Sequence, residues 1–398
     1  MKYTPKRYFA HNLATGAVTT AKTGKKIITT SSSDPALSND TGEGYAIGSM
    51  WLNTTSGQQF IATDVSAEDA TWFGQKGDNI NLVYHQGSNY GWTISGNSAG
   101  MQPDTYRDVI ERHSFTSDGN ATDFGEFTTS RTNMSTNSPA LDYGYCAGGQ
   151  APAYSDIIER FPTSASAGGA DGADVGELSR VNSQFSLGTI GADAKGIMVG
   201  GYNPSPGTTD QIETFTMASP STATDTGSEL TVGRYSCAGG ENDTVLFTMA
   251  GANASDVAVN DVEVITKSTF AAADTGSELT TAAKYDGGDD ATQSDVAAYK
   301  QGGQTPPGTN LDTIEKMIFA SPYPATDVGN LATGGARYLI TGSSSTTHGY
   351  GTGGENPGLP TAQASSTIEK FAYASDGDAT DVGETAAANR AKCGGTQS

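Results

Sequence analysis

The chain has 398 residues, of which 35% are hydrophobic, 17% are charged and 51 are Gly. Its 44 acidic and 22 basic residues give a formal net charge of −22, and a surface of that sign repels nucleic-acid phosphates and anionic membranes. Few apolar residues and abundant Gly suit either disorder or many short strands with thin buried faces, and the strand-sized apolar runs between turn signals favour strands.

The first 26 residues contain Lys2, Lys6, Arg7, Lys22, Lys25 and Lys26 and no acid, while the other 372 hold all 44 acids against 16 bases. No apolar core of a secretory signal is present there, and no run of about 18 apolar residues occurs anywhere, so a chain made in the cytoplasm without a membrane span is expected. Residues 1–40, basic and then Thr/Ser-rich, read as an extended arm. Residues 41–79 read as a small β module. Two strand-like stretches at 47–53 and 58–64 flank Thr-Thr-Ser-Gly as a hairpin, and 71–73 form a third strand. Trp51, Phe60 and Trp72 supply the large side chains that such a small core needs.

From residue 80 onward a repeat dominates. Asp-Val-Ile-Glu-Arg at 108–112 returns as Asp-Ile-Ile-Glu-Arg at 156–160 and in related forms up to Ser-Thr-Ile-Glu-Lys at 366–370. The shared acid is Glu111, Glu159, Glu213, Glu263, Glu315 and Glu369, at intervals of 48, 54, 50, 52 and 54 residues. Each is followed by an Asp-x-Gly turn, starting at Asp123, Asp174, Asp225, Asp274, Asp327 and Asp381, and then by a base: Arg131, Arg180, Arg234, Lys284, Arg337 or Arg390. Apolar stretches ending in small residues, such as Tyr-Gly-Tyr-Cys-Ala-Gly-Gly at 143–149, complete each unit. A period of roughly 50 residues matches propeller blades, whereas a solenoid needs about half of that and helical repeats need a 3.6-residue apolar stripe. The last unit is cut to a single strand and the first lacks one. The two fit together, and residues 80–398 are expected to form an all-β, six-bladed β-propeller completed by the C-terminal strand, with seven blades as the other count.

Chemistry is sparse. Cys146, Cys237 and Cys393 lie in apolar stretches and imply buried thiols, not a disulfide framework. His11, His85, His113 and His348 do not cluster, and His348 reads as a strand residue. No nucleophile elbow, P-loop or His-Glu-x-x-His motif occurs. The acidic turns, such as Asp118 to Asp123 and Asp376 to Asp381, are read as turn chemistry in preference to calcium sites. The blade glutamates alternate with Ile or Val, which places them on the side away from the apolar residues, where pairing with Arg or Lys at the surface would add little. No catalytic, metal or cofactor residue is assigned, and no enzyme is expected.

The repeat resembles kelch-like propeller proteins over about four-fifths of the chain. It resembles more closely the repeat proteins of tailed bacteriophages, marine or cyanophage-like, through Ile-Glu-Lys-Phe-Ala-Tyr-Ala-Ser-Asp-Gly-Asp-Ala-Thr-Asp-Val-Gly-Glu at 368–384 and His-Gly-Tyr-Gly-Thr-Gly-Gly at 348–354. The module around Trp51 is similar to small β modules of phage fibres and appendages. The resemblance implies a non-enzymatic structural protein of the virion, a tail fibre or appendage assembled as a homotrimer. Residues 1–79 would dock on other virion proteins, with the six early bases as candidates. The propeller would face a host-surface receptor or glycan, with no nucleic-acid partner and no membrane insertion. The alternatives are a capsid decoration or head-fibre protein, a propeller depolymerase that uses paired carboxylates on polysaccharide, and a cellular kelch scaffold, against which the basic arm counts.

Overall fold

The protein was analysed as a computed structural model, which describes residues 10–11, 18–19, 26–33, 35–36, 38–39, 42–54, 59–66, 70–75, 86–97, 106–140, 143–163, 171–190, 195–205, 207–217, 222–242, 244–284, 289–332, 335–356, 364–387 and 390–398. Lys2, Lys6, Arg7, Lys22, Lys25 and His85 lie outside these, as does the strand entry expected at 80–84. The chain divides into two compact units, Met1–Leu82 and Val83–Ser398. Among the described residues there is no α-helix, and hence none long and apolar enough to cross a membrane.

The first unit carries a four-stranded sheet in the order Ile28–Ser31, Met50–Asn53, Gln59–Asp64 and Thr71–Gln75. The middle pairs are antiparallel, as the hairpin pattern requires, but Ile28–Ser31 runs parallel to Met50–Asn53. Trp51 and Phe60 are buried with Tyr45, Ala62 and Val65, and the half-buried Trp72 packs on them. The rings of Tyr45, Trp51 and Trp72 lie 5.1–6.0 Å apart, a separation at which aromatic pairs attract. Both indoles bind backbone: Trp51 Nε1 donates to the Ser33 carbonyl at 2.8 Å and Trp72 Nε1 to the Asn39 carbonyl at 3.0 Å. These contacts correct the expected extended arm over 1–40 for its described residues from 28 to 39. Residues 28–31 form an edge strand, 33 and 39 are fastened to the module core, and Ala10–His11 pairs with Val18–Thr19. The physical cause is the open edge of Met50–Asn53, whose backbone groups need partners.

The second unit is the kelch-like six-bladed propeller: six sheets built on one plan of four antiparallel strands, with Asp289–Asp290 added in parallel to the innermost strand of the fourth. Blade 1 comprises Gly394–Gln397, Tyr90–Ile94, Arg107–Ser114 and Thr122–Arg131, so the C-terminal strand is its innermost. Blade 2 comprises Ser135–Ala140, Tyr143–Ala147, Ile157–Pro162 and Ala173–Glu177. Blade 3 follows with Ser186–Ile190, Lys195–Val199, Gln211–Thr216 and Thr224–Glu229. Blade 4 is Ala238–Glu241, Val245–Met249, Val259–Thr266 and Ala272–Ala283. Blade 5 is Thr292–Gln293, Ala297–Gln301, Thr313–Ile318 and Ala325–Asn330. Blade 6 is Thr341–Ser344, His348–Thr352, Thr367–Ala372 and Thr380–Glu384.

Sequence accounts for each strand's place. Second strands such as Lys-Gly-Ile-Met-Val at 195–199 are buried almost throughout, third strands such as Ile157–Pro162 mix buried and half-buried residues, and fourth strands such as Ala173–Glu177 carry no buried residue. Innermost strands are rich in Gly, Ala, Ser and Thr, which allows neighbouring blades to approach. Gln side chains stitch them together. Gln293 accepts from the Glu241 N–H at 2.8 Å and donates to the Glu241 carbonyl at 3.0 Å, and Gln397 accepts from the Ser344 N–H at 3.0 Å. The Gly-Gly doublets have a specific cause. In blade 2, Gly148 (φ 62°) and Gly149 (φ 98°) are both left-handed, and a Cβ on Gly149 would stand 2.8 Å from the Thr132 carbonyl oxygen.

Candidate functional site

The repeated polar residues meet in the seams between blades. Glu111, Glu159, Glu213, Glu263, Glu315 and Glu369 are all buried, at 0–5% exposure. The surface placement expected for them is therefore corrected. A propeller blade is covered on both faces, so the side of a strand away from its own apolar residues faces the preceding blade. Each glutamate receives hydrogen bonds from that blade. Glu159 accepts from Thr128 N–H at 2.8 Å and Thr128 Oγ1 at 2.5 Å, Glu263 from Thr231 N–H at 2.8 Å, and Glu369 from Ala332 N–H at 2.7 Å.

A cation completes most of these clasps. Arg131 pairs with Glu159 and Arg337 with Glu369, while Arg234 Nη2 lies 2.5 Å from Glu263 and Arg390 Nη1 2.9 Å from Glu111. All four arginines are buried. The guanidinium groups of Arg131, Arg234 and Arg390 also cap backbone carbonyls of the receiving blade, as Arg131 does at Gly148 (2.7 Å) and Ile157 (3.1 Å).

Two seams depart from the expected list of bases. The backbone N–H of Gly149, Gly201, Gly251, Gly303 and Gly354 donates to the carbonyl of Asn182, Arg234, Ala283, Arg337 and Arg390 respectively, which fixes the equivalent positions. Arg180 and Lys284 are thus out of register with the others. Asn182 holds the third clasp position, donating to the Gly200 carbonyl at 2.9 Å, while the partly exposed Arg180 reaches Glu213 from the side at 3.6 Å. Ala283 holds the fifth position. There Lys300, from the blade's own second strand, reaches Glu315 at 3.1 Å, and Lys284 pairs instead with Asp256 at 2.7 Å.

The acidic turns are occupied by protein partners. Asp174, Asp225, Asp274, Asp327 and Asp381 each accept the N–H of the glycine two residues on, at 2.8–3.3 Å. Asp378 accepts from the Asn330 N–H at 2.9 Å. Among the described residues no three or more His, Cys, Asp or Glu are grouped to hold a metal ion. The three thiols are buried, and none is in a disulfide. His348 opens a second strand, with Nδ1 2.8 Å from Thr347 Oγ1. His113 is buried between blades 1 and 6. Its Nε2 lies 3.4 Å from Ser343 Oγ, Nδ1 has no partner, and burial pushes its pKa down to about 4. Of the early bases, only Lys26 is described, and it is exposed.

A further row of cations escaped the sequence reading, although each member directly follows a repeat glutamate. Arg112, Arg160, Lys316 and Lys370 project from third strands toward the next blade, opposite Trp92, Tyr145, Tyr299 and Tyr350. Lys316 binds Asp376 at 3.0 Å and Lys370 binds Asp118, both across a seam. Arg112 lies instead over the Tyr90 ring at 4.3 Å and Arg160 over Tyr143 at 4.2 Å.

No protein-family model and no curated protein matches the chain. Among solved structures, the chain is similar to that titled "Structure of YjhT", with a TM-score of 0.56 and 11% identity over 67% of this chain and 87% of that one. At that identity the likeness concerns architecture alone. It agrees with a chain of the kelch-like β-propeller class.

Proposed function

We propose that the protein is a non-enzymatic structural component of a tailed-phage virion, docked through its N-terminal unit and presenting the propeller for attachment to a host surface. The observation that carries this reading is the division of charge along the chain: a basic stretch with no acid in residues 1–26 precedes an acidic propeller. A segment of one sign on a body of the other suits docking to an acidic partner surface while the body stays repelled from it. The repeat acids engaged in clasps and turns support a structural role for them over a catalytic one. The tail is the proposed location, with a trimer as the assembled form.

Immuno-electron microscopy of particles tests the location directly: label at the tail is expected, and label on the capsid assigns the decoration or head-fibre role instead. Because residues 28–31 belong to the module sheet, the docking test is removal of residues 2–25 alone. The shortened protein should fold and fail to join particles. Normal incorporation would refute docking by the basic segment.

A further inference from the structure

We infer that Arg112 and Arg160 form an anion-binding surface on blades 1 and 2, suited to the carboxylate or sulfate groups of an acidic polysaccharide. One structural position recurs in every blade of the propeller. Six third strands carry, directly after the repeat glutamate, Arg112, Arg160, Thr214, Val264, Lys316 and Lys370. Two of the four cations are neutralised by the next blade, Lys316 by Asp376 and Lys370 by Asp118. The donors Ala121, Gly172, Ala223 and Ala379 each bind the carbonyl of the preceding blade's outer strand, which aligns the four loops. Counting back three residues from each, Asp118 and Asp376 correspond in sequence to Gly169 and Pro220. The carboxylate that would meet Arg112 or Arg160 is thus absent from the repeat at those two positions.

Neither arginine forms an ion pair among the described residues, in a chain with twice as many acids as bases. Both are half-buried. Arg112 lies over Tyr90 at 4.3 Å, Phe124 at 4.7 Å and Trp92 at 5.8 Å. Arg160 lies over Tyr143 at 4.2 Å and reaches Tyr145 Oη at 3.5 Å. Seated over rings and without a carboxylate partner among the described residues, each guanidinium has N–H groups to offer a planar or tetrahedral oxyanion, the geometry at which Arg exceeds Lys. Two such groups on neighbouring blades suit a polymer that repeats its charge. The surrounding negative field acts as a filter. It is screened beyond about 8 Å at physiological salt, so it opposes a polyanion only close to the surface, where contact with the guanidinium groups offsets it.

As an anion site this inference stands on the seams alone. As the chemistry of a host-surface ligand it rests on the proposed attachment role. The test is calorimetry of the full-length protein with oligoglucuronate, with a sulfated dextran oligomer and with neutral dextran. Binding to one or both acidic oligomers and not to the neutral one is expected, and the two acidic arms separate carboxylate from sulfate sources. R112Q and R160Q should each weaken binding tenfold or more, while K370Q, whose lysine is already engaged, should not. R112K and R160K retain charge and stem and guard against loss of folding: with an unchanged melting temperature they should still bind several-fold more weakly. Absence of binding to both acidic oligomers, or equal binding by the arginine variants and wild type, overturns the site. If particles nevertheless carry the protein normally, the virion role survives that failure.

Discussion

Replacing Glu159 by Gln isolates the contribution of one inter-blade clasp. The substitution keeps size and shape but removes the charge facing Arg131, which is itself 1% exposed. Gln can still accept the Thr128 N–H, now 2.8 Å from Glu159 Oε1, but its amide would present donors to the Arg131 donors. A buried guanidinium is left without its counter-charge. Removing one partner of a buried pair costs about 3–5 kcal/mol, which for a unit of this size corresponds to a fall in melting temperature of roughly 6–10 °C. Arg180→Ala is the internal control, because that arginine is about one-third exposed and 3.6 Å from Glu213. An exposed pair of that kind contributes about 0–1 kcal/mol, so the control should shift the midpoint by about 2 °C or less. Scanning calorimetry of the two variants and wild type at pH 7 decides. Equal shifts, or a shift below about 2 °C for Glu159→Gln, would refute the claim that buried clasps stabilise the seams more than exposed pairs do.

Lys300→Met should destabilise blade 5 by a similar amount, and Ala283→Arg in that background should restore most of the loss, since position 283 is where the other seams place their arginine. Urea unfolding of both variants checks this, and no recovery in the double variant would show the register assignment to be wrong. The buried His113, whose pKa is pushed down to about 4 from 6.5, binds fewer protons folded than unfolded between those values. Its stabilisation is therefore complete above pH 6.5 and is lost as pH falls toward 4, by about 3 kcal/mol in all. Melting temperatures from pH 7 to 4 should show a shallower acid decline in His113→Gln than in wild type; identical slopes would exclude His113 as the cause. Gly383→Ala places a Cβ 2.3 Å from the Gly119 carbonyl oxygen and threatens the Ala121-to-Glu384 backbone bond. It should cost about 1–3 kcal/mol, with faster amide exchange at Ala121 as the local signature, and unchanged exchange there would show that the loop accommodates the methyl group.

The repeat made the blades legible because its markers are tied to backbone geometry. Asp-x-Gly appears where an Asp side chain accepts the glycine N–H, and Gly-Gly, replaced by Ser95-Gly96 in blade 1 and Ala250-Gly251 in blade 4, marks two successive left-handed residues. The incomplete first and last units likewise pointed to the pairing of Gly394–Gln397 with Tyr90–Ile94. The strand at 28–31 was hidden for the opposite reason. Ile-Thr-Thr-Ser has little alternation of its own, and its place is set by the open edge of a strand 22 residues later.

The seams were misread because a local rule was applied to a structure with no outer face to its middle strands. Period-2 alternation says that Glu159 and Ile158 point to opposite sides of a sheet; it does not say that either side is solvent. In a propeller both sides of the two middle strands are interior, one against each neighbour, and the repeat glutamates there are met by hydrogen-bond donors of the preceding blade. The same reasoning explains why Arg180 and Lys284 passed as equivalents of Arg131. The count of residues from the turn differs by one or two between blades, and only the backbone bond from the second glycine fixes which residue enters the clasp. It also explains the interest of Arg112 and Arg160. Where every other seam-facing charge of this row has a partner on the adjacent blade, two arginines held only by aromatic rings are departures from the repeat that its packing does not require.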